Sequence, residues 1–366
     1  MLSCLDNTSK VVIPNNMLLD MMNLYRFSGK DSYYNSLFEK DLKAYRNVNI
    51  IDEVYYFSKI MNLDLTDERL HLLSKKDIVP KNNSEKIVLN LKKVFNLILY
   101  HVNEFDLIPN EILNLANLLY ADVCKVKYKT ETTTEKTTFA TTKKKISKAD
   151  EVERLFNKFE SLRKSKDYEL TLLITNLFID FINSRVFEEN DNYDANTYVS
   201  YLILYILLFK YEFSVFNYKS YFAKIYENMK TFQNAINMSS FNWDTGYASV
   251  TSTHQFIIER LLECYDRLEL EERKASHVKE NKFSKTNDVE ISIVNFPGDT
   301  FTKADIQKIH PNVSPKTIER TLDRLQEEGK IESLGTGRSA RWMKKFKIQA
   351  GFEYDKMSFN FDDDDK

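Results

Sequence analysis

Glycine and proline are scarce, at 7 and 6 residues in a chain of 366. Architectures of many short strands and tight turns consume glycine, as do Gly-rich phosphate loops, so the expectation is a helix-rich chain. Cysteine is scarcer still. Cys4, Cys124 and Cys264 lie far apart with no CxxC pair, which leaves no zinc knuckle and no disulfide framework and fits a reducing cytoplasm. An excess of one charge is also missing: 52 basic residues against 54 acidic give a net −2, so any patch for a polyanion must be local. Long apolar runs are absent. The most apolar stretch, Tyr198 to Phe209, falls short of the roughly 20 residues needed to span a bilayer, and no membrane segment is expected. The opening MLSCLDNTSKVVIP has neither a basic start nor a continuous apolar stretch and does not read as a signal peptide.

What is present is ample material for packed cores: 43% of residues are hydrophobic and 13% aromatic, which excludes a disordered chain. The length exceeds what one core usually organises, so two or three domains are expected. Leu18 to Phe27 and Asp52 to Leu73 show helical spacing, with Val54, Phe57, Ile60 and Met61 as one stripe and Thr66 as an N-cap. Ser84 to Val102 is amphipathic through Ile87, Leu91, Val94, Phe95, Ile98 and Leu99, and Pro109 fits the first turn of a helix to Tyr120. The Lys-Thr segment TETTTEKTTFATTKKK is β-branched and polar, and reads as an exposed hairpin or a disordered flap. Helical pattern resumes at Asp150, and Leu170 to Ile182 is apolar nearly all round, as a central buried helix would be. The polar stretch RVFEENDNYDAN separates it from a second apolar helix, Tyr198 to Lys210, and is where a site is expected. Further helices are expected at 218–236 and 252–270.

Residues 276–288 are charged and almost free of large apolar side chains, which reads as a linker. Beyond it comes an apolar strand (Ile291, Ile293, Val294), a helix, a turn, a second helix from Ser314-Pro315 to Gly329, and a hairpin around Gly335-Thr336-Gly337. The stretch SPKTIERTLDRLQEEGKIESLGTGRSARW resembles the winged helix-turn-helix family over residues 289–349. Lys282 to Ile348 carries 13 basic residues against 9 acidic. The resemblance implies contact with duplex DNA: Lys316, Thr317 and Arg320 toward the bases, and Arg338, Arg341 and Lys344 toward phosphate. Docking on a protein partner is the alternative, and Glu319 and Asp323 on the same helix oppose DNA. The closing FDDDDK, in an acidic tail over 350–366, reads as a solvated tail, a non-native remnant or a segment that docks on the wing.

The order of signals from Asp52 to Glu271 resembles the Fic family, whose members often carry a winged helix after the Fic domain. DEVYYFSKIMNLDLTDERLHLL, at 52–73, is similar to that family's inhibitory helix, and the Lys-Thr segment stands where its target-binding flap would be. Family members place HPFx(D/E)GNGRxxR between the two apolar helices; an ungapped match sets Phe187 on its Phe and Glu189 on its acid. The resemblance implies transfer of AMP from ATP to a target hydroxyl, with His as general base, the acid holding Mg²⁺, and arginines on the phosphates. Here Arg185 stands at the His position, and a guanidinium with a pKa above about 12 takes no proton near neutrality. Asn190, Asp191 and Asn192 replace the Gly-Asn-Gly nest, and Tyr193 and Asn196 replace both arginines. Only Glu189 could still hold a metal, weakly and with nucleotide bound. The inhibitory Ser/Thr-x-x-x-Glu-Gly/Asn motif falls on Phe57, Met61 and Asn62, of which the last alone fits.

The expected class is therefore mainly α: a Fic-like helical domain with a small β-hairpin flap, then an α+β winged helix-turn-helix domain. The expected divisions are an amino-terminal helical region at 1–83, the Fic-like domain at 84–275, and the segments already named. The reading is a cytoplasmic bacterial regulator, a Fic-like pseudoenzyme without a cofactor, binding DNA or a protein partner and with a homodimer left open. The rival is an active adenylyltransferase using ATP and Mg²⁺ through a displaced motif.

Overall fold

A computed structural model describes residues 3–136, 141–294, 296–335 and 340–345, with the backbone alone at 132–136, 141–146 and 274–284. The fold is mainly α and forms two compact units, Met1–Glu272 and Arg273–Lys366. No helix among the described residues is long and apolar enough to cross a membrane.

In the first unit a 3-10 helix, Cys4–Lys10, opens with a Ser3/Asp6 capping box and rests on Asp180, whose carboxylate accepts the N–H of Cys4 at 2.7 Å and of Leu5 at 3.0 Å. α1 (Asn15–Ser28), α2 (Asp31–Leu37) and α3 (Leu42–Ile60) follow. Asn62 ends α3 in the left-handed region at φ 52°, a conformation that suits Asn or Gly. Thr66 then caps α4 (Asp67–Lys75), so the stretch 52–73 is the end of one helix, a turn and a second helix. α5 (Asn83–His101) opens on Asn82, and α6 (Pro109–Leu119) has its proline at N1, where no backbone bond is lost.

β1 (Thr130–Lys136) and β2 (Thr141–Ser147) pair antiparallel, as a hairpin flap requires. α7 (Lys148–Ser165) leads to the two central helices α8 (Leu170–Ser184) and α9 (Ala195–Tyr211), which pack on each other and are buried along almost their whole length. Burial on every face is what the near-continuous apolar sequence demands. α10 (Tyr221–Glu227), α11 (Met229–Ser240) and the start of α12 (Thr251–Val294) complete the unit. Because α3 packs against α5 and α10, and the first 3-10 helix against α8, residues expected as a separate region at 1–83 belong to the same compact unit as those that follow.

The second unit holds the end of α12, β3 (Thr300–Thr302), α13 (Lys303–Ile309), α14 (Pro315–Glu327), β4 (Ile331–Ser333) and β5 (Arg341–Lys344). The strands form an antiparallel sheet in the order β3-β5-β4, pairing Phe301 with Trp342 and Ile331 with Lys344. Two expectations are corrected here. Residues 276–288 are helix, and so are Ile291, Ile293 and Val294. The charge run contains no glycine or proline to break a helix, and the spacing that decides is Val289 to Ile293, both fully buried, while Ile291 is exposed. With Phe301, Ile306, Ile318, Leu322, Leu325 and Ile331 they make the core of this unit. Gly329 closes α14 at φ 70°, the left-handed C′ position. The expected wing turn at 336–339, with Arg338, and the tail from 346 lie outside the described residues.

Candidate functional site

The loop from Arg185 to Asp194 is held at both ends and at one point between. Arg185 terminates α8 in the left-handed region at φ 40°. Phe187 is fully buried; its ring stacks on Tyr128 at 5.2 Å and meets Phe181 edge-on. The strand entering the flap pairs with this part of the loop: the Lys129 N–H donates to Val186 O at 2.8 Å and the Glu188 N–H to Lys127 O at 2.9 Å. The α8 end, the loop and the flap base are thus hydrogen-bonded into one piece.

Asn196, 3% exposed in the first turn of α9, bonds both main-chain groups of Phe187. Its Oδ1 accepts the Phe187 N–H at 2.9 Å and its Nδ2 donates to the Phe187 carbonyl at 3.1 Å. Asp194 caps α9, accepting the Thr197 N–H at 3.0 Å and the Thr197 hydroxyl at 2.6 Å, so a carboxylate of the chain already stands at the positive end of that helix. Glu189 is exposed. Lys129 Nζ lies 3.0 Å from it and Arg185 Nε 3.5 Å, and the Lys129 ammonium first, then the Arg185 guanidinium, hold its carboxyl below the usual range. Asp191 is exposed, and Tyr193 packs on Tyr120 and accepts from Asn83 Nδ2 at 3.2 Å.

On α3, Phe57 is fully buried and meets Phe222 at 4.6 Å, Phe95 at 5.8 Å and Tyr198 of α9 at 6.2 Å. Met61 is buried beside it and Asn62 is an exposed turn residue. The structure therefore brings Phe57 close to the first turn of α9. Among the described residues no hydrogen bond or ion pair joins Met61 or Asn62 to the loop at 185–194.

No protein-family model and no curated protein sequence matches the chain. Solved structures do. A Fic family protein from Desulfovibrio desulfuricans matches with a TM-score of 0.50 at 14% identity, over 92% of this chain and 98% of that one. The fold is Fic-like. A Fic domain-containing signaling protein from Bacteroides thetaiotaomicron matches at 16% identity over 68% of this chain and 98% of that one, with a TM-score of 0.49. At these identities the likeness concerns the fold.

Three structural roles are not read from the sequence: Asp194 and Lys129 act on the loop at 185–194, and Glu53 acts on α10 elsewhere in the same unit. Asp194 carries a signal that could have found it, an Asp three residues before Thr197 ahead of an apolar run. Lys129 sits one residue before the Lys-Thr strand and carries none. Glu53, fully buried on α3, accepts the Ser220 hydroxyl at 2.7 Å, the Tyr221 N–H at 2.9 Å and the Phe222 N–H at 3.0 Å, capping α10 from another helix. Its sequence neighbours do not reveal it, because its partners lie far along the chain. Burial pushes its carboxyl up to about 7 despite those donors.

In the second unit, α14 starts on Ser314, whose Oγ accepts the Thr317 N–H at 3.2 Å and lies 2.8 Å from the Thr317 hydroxyl. Lys316 and Arg320 are exposed on its outer face, and Arg341 is exposed on β5. Lys344 differs from expectation. Its Nζ donates to Val294 O at 3.0 Å and Phe296 O at 2.6 Å, capping carbonyls at the end of α12. A cation there meets the negative end of the helix dipole, which competes with any phosphate.

Proposed function

We propose that the chain is a Fic-like pseudoenzyme whose carboxy-terminal winged helix-turn-helix binds duplex DNA. The observation that carries the first half is that Glu189, the one motif position able to hold Mg²⁺, is neutralised by Lys129 and by Arg185, the residue standing where the general base would be. An arginine cannot accept the proton of a target hydroxyl. The group that would have replaced an arginine clamp, Asn196, is buried and fully engaged on Phe187. The α9 N-terminus, suited to an anion, holds Asp194. ATP with Mg²⁺ does not fit this donor set: one exposed, already paired carboxylate is a poor magnesium site, and none of the five histidines lies between 185 and 196.

Incubation with labelled ATP, Mg²⁺ or Mn²⁺ and cell lysate tests the reading. No transferred label is expected. Label transfer that disappears in Glu189→Ala would establish the rival adenylyltransferase instead.

The second half rests on the arrangement of the small unit. Three helices, the end of α12 with α13 and α14, and a three-stranded antiparallel sheet share one core, and α14 turns outward Lys316 and Arg320, neither ion-paired among the described residues. Glu319 on that face is met by Lys303 at 3.2 Å, which lessens its repulsion of a polyanion. The proposed footprint is Lys316, Thr317, Arg320 and Arg341, with Arg338, outside the described residues, as a further phosphate candidate and Lys344 withdrawn.

A further inference from the structure

A cavity of about 530 Å³ opens between α3, the turn at 218–220, the start of α10 and α12, a volume within the usual range for small-molecule sites. None of its lining residues belongs to the loop at 185–196. One stripe of α3 faces it: Tyr45, Val48, Asp52 and Tyr56 follow one another at steps of three and four, the spacing that keeps side chains on one side of a helix. Tyr218 stands edge-on to Tyr45 at 5.5 Å and gives the cavity an aromatic wall.

Charges of both signs line the space, and several are already matched. Lys219 pairs with Glu271, and the buried Lys224 pairs with Glu227. Asp41, at the start of α3, is about 16 Å from Asp52 along the helix axis, too far for one small ligand to touch both. Asp52 itself has no hydrogen bond or ion pair among the described residues. Burial raises its carboxyl above the usual value although His71, Lys219 and Lys75 pull the other way through space. A carboxylate that has lost water and gained no donor favours a bound ammonium. Arg267, on α12, has no hydrogen bond among the described residues either. Its guanidinium is 55% exposed and lies 3.6 Å from Glu227, a carboxylate that Lys224 already holds, so its planar fork is open to another carboxylate. Asp52 and Arg267 belong to one site, because both act on Tyr56: burial raises its hydroxyl, Asp52 adds to the rise and Arg267 opposes it.

We infer that this cavity binds a zwitterion with an apolar side chain, a free amino acid or a dipeptide. The ammonium meets Asp52, the carboxylate takes the Arg267 fork, and the side chain lies on Val48 and the Tyr45 and Tyr218 rings. A polyanion would meet Asp52 and Glu271, and a plain amine would meet Arg267 and Lys219, so a ligand carrying both charges suits the lining better than one carrying either.

Calorimetric titration of the full chain with L-phenylalanine, L-alanyl-L-phenylalanine, L-phenylalaninamide and N-acetyl-L-phenylalanine tests the assignment. One of the two zwitterions is expected to bind, the amino acid if both charges are met on one carbon and the dipeptide if they are met across a peptide unit. The two forms lacking a charge should bind about tenfold more weakly or worse. Asp52→Asn should remove the zwitterion's advantage over the N-acetyl form, and Arg267→Gln its advantage over the amide. Both variants should unfold at the wild-type temperature, since neither residue makes a strong native bond, so lost affinity reports the missing charge. Absence of saturable heat with both zwitterions, equally tight binding of the amide or the N-acetyl form, or unchanged affinity in Asp52→Asn would each overturn the proposal.

Discussion

Asn196 grips Phe187 by both main-chain groups, N–H at 2.9 Å and C=O at 3.1 Å, across the turn that joins α8 to α9. Phe187 is fully buried, so water cannot replace either bond. Asn196→Ala would leave two buried polar groups unpaired and should lower unfolding free energy by about 3 kcal/mol, read from the urea midpoint. Asn196→Arg, the residue type that the proposed match to the Fic motif implies here, should be no better, because a guanidinium donates to the carbonyl but cannot accept from the N–H. A variant with arginine at wild-type stability would show that the loop has another way to close.

The buried cap at Glu53 predicts a pH dependence. An unfolded glutamate titrates near 4.5, whereas burial raises Glu53 to about 7 in the folded protein. Between those values the native state keeps a proton that the unfolded chain has released. The contribution is complete below about pH 4.5 and is lost as pH rises through 7. Relative to Glu53→Gln, which cannot titrate, the wild type should lose about 3 kcal/mol over that window. Urea unfolding of both proteins from pH 4.5 to 8 measures it. A difference that stays flat would mean that the α10 N-terminus keeps Glu53 ionised throughout.

The pseudoenzyme reading predicts silence toward nucleotide at the loop. A ligand at a hundredfold excess over its Kd raises stability by about 2.7 kcal/mol, an easily seen thermal shift. ATP with Mg²⁺ should give no shift that depends on Glu189. A rise in melting temperature abolished by Glu189→Ala would place nucleotide at the loop and remove the reading.

For the second unit, Arg320→Ala together with Arg341→Ala should weaken duplex binding and reduce the slope of log K against log salt by about 1 for each arginine–phosphate pair removed. Lys344→Ala should behave differently: salt slope nearly unchanged, but the unit less stable, because the Val294 and Phe296 carbonyls would be left without their donor. Fluorescence anisotropy across a salt series, with thermal unfolding of the same variants, separates the two effects.

Helix starts and stops were legible because they are set by local chemistry. Thr66, Pro109, Ser314-Pro315 and Gly329 each act where a backbone group needs a partner or a left-handed residue. The end of α12 was misread because Ile291 and Ile293 alternate like a strand, while the core selects Val289 and Ile293, four apart. In the loop, residue type alone decides whether a side chain can accept a proton, and that much is legible in the sequence. It does not reveal what the replacements do. That Asn196 bolts the backbone, that Lys129 meets Glu189 and that Lys344 seals a helix end all depend on distances between residues remote in the chain.

Asp180 holds the amides of Cys4 and Leu5 from the interior of α8, and Trp243 donates to the same carboxylate at 2.9 Å. The opening residues therefore act as a plug that shields an anion from oil-like surroundings. A recombinant version trimmed by even five residues would leave that carboxylate with the Trp243 indole in place of three donors, and insolubility in such a clone would report a missing stopper rather than a badly chosen domain.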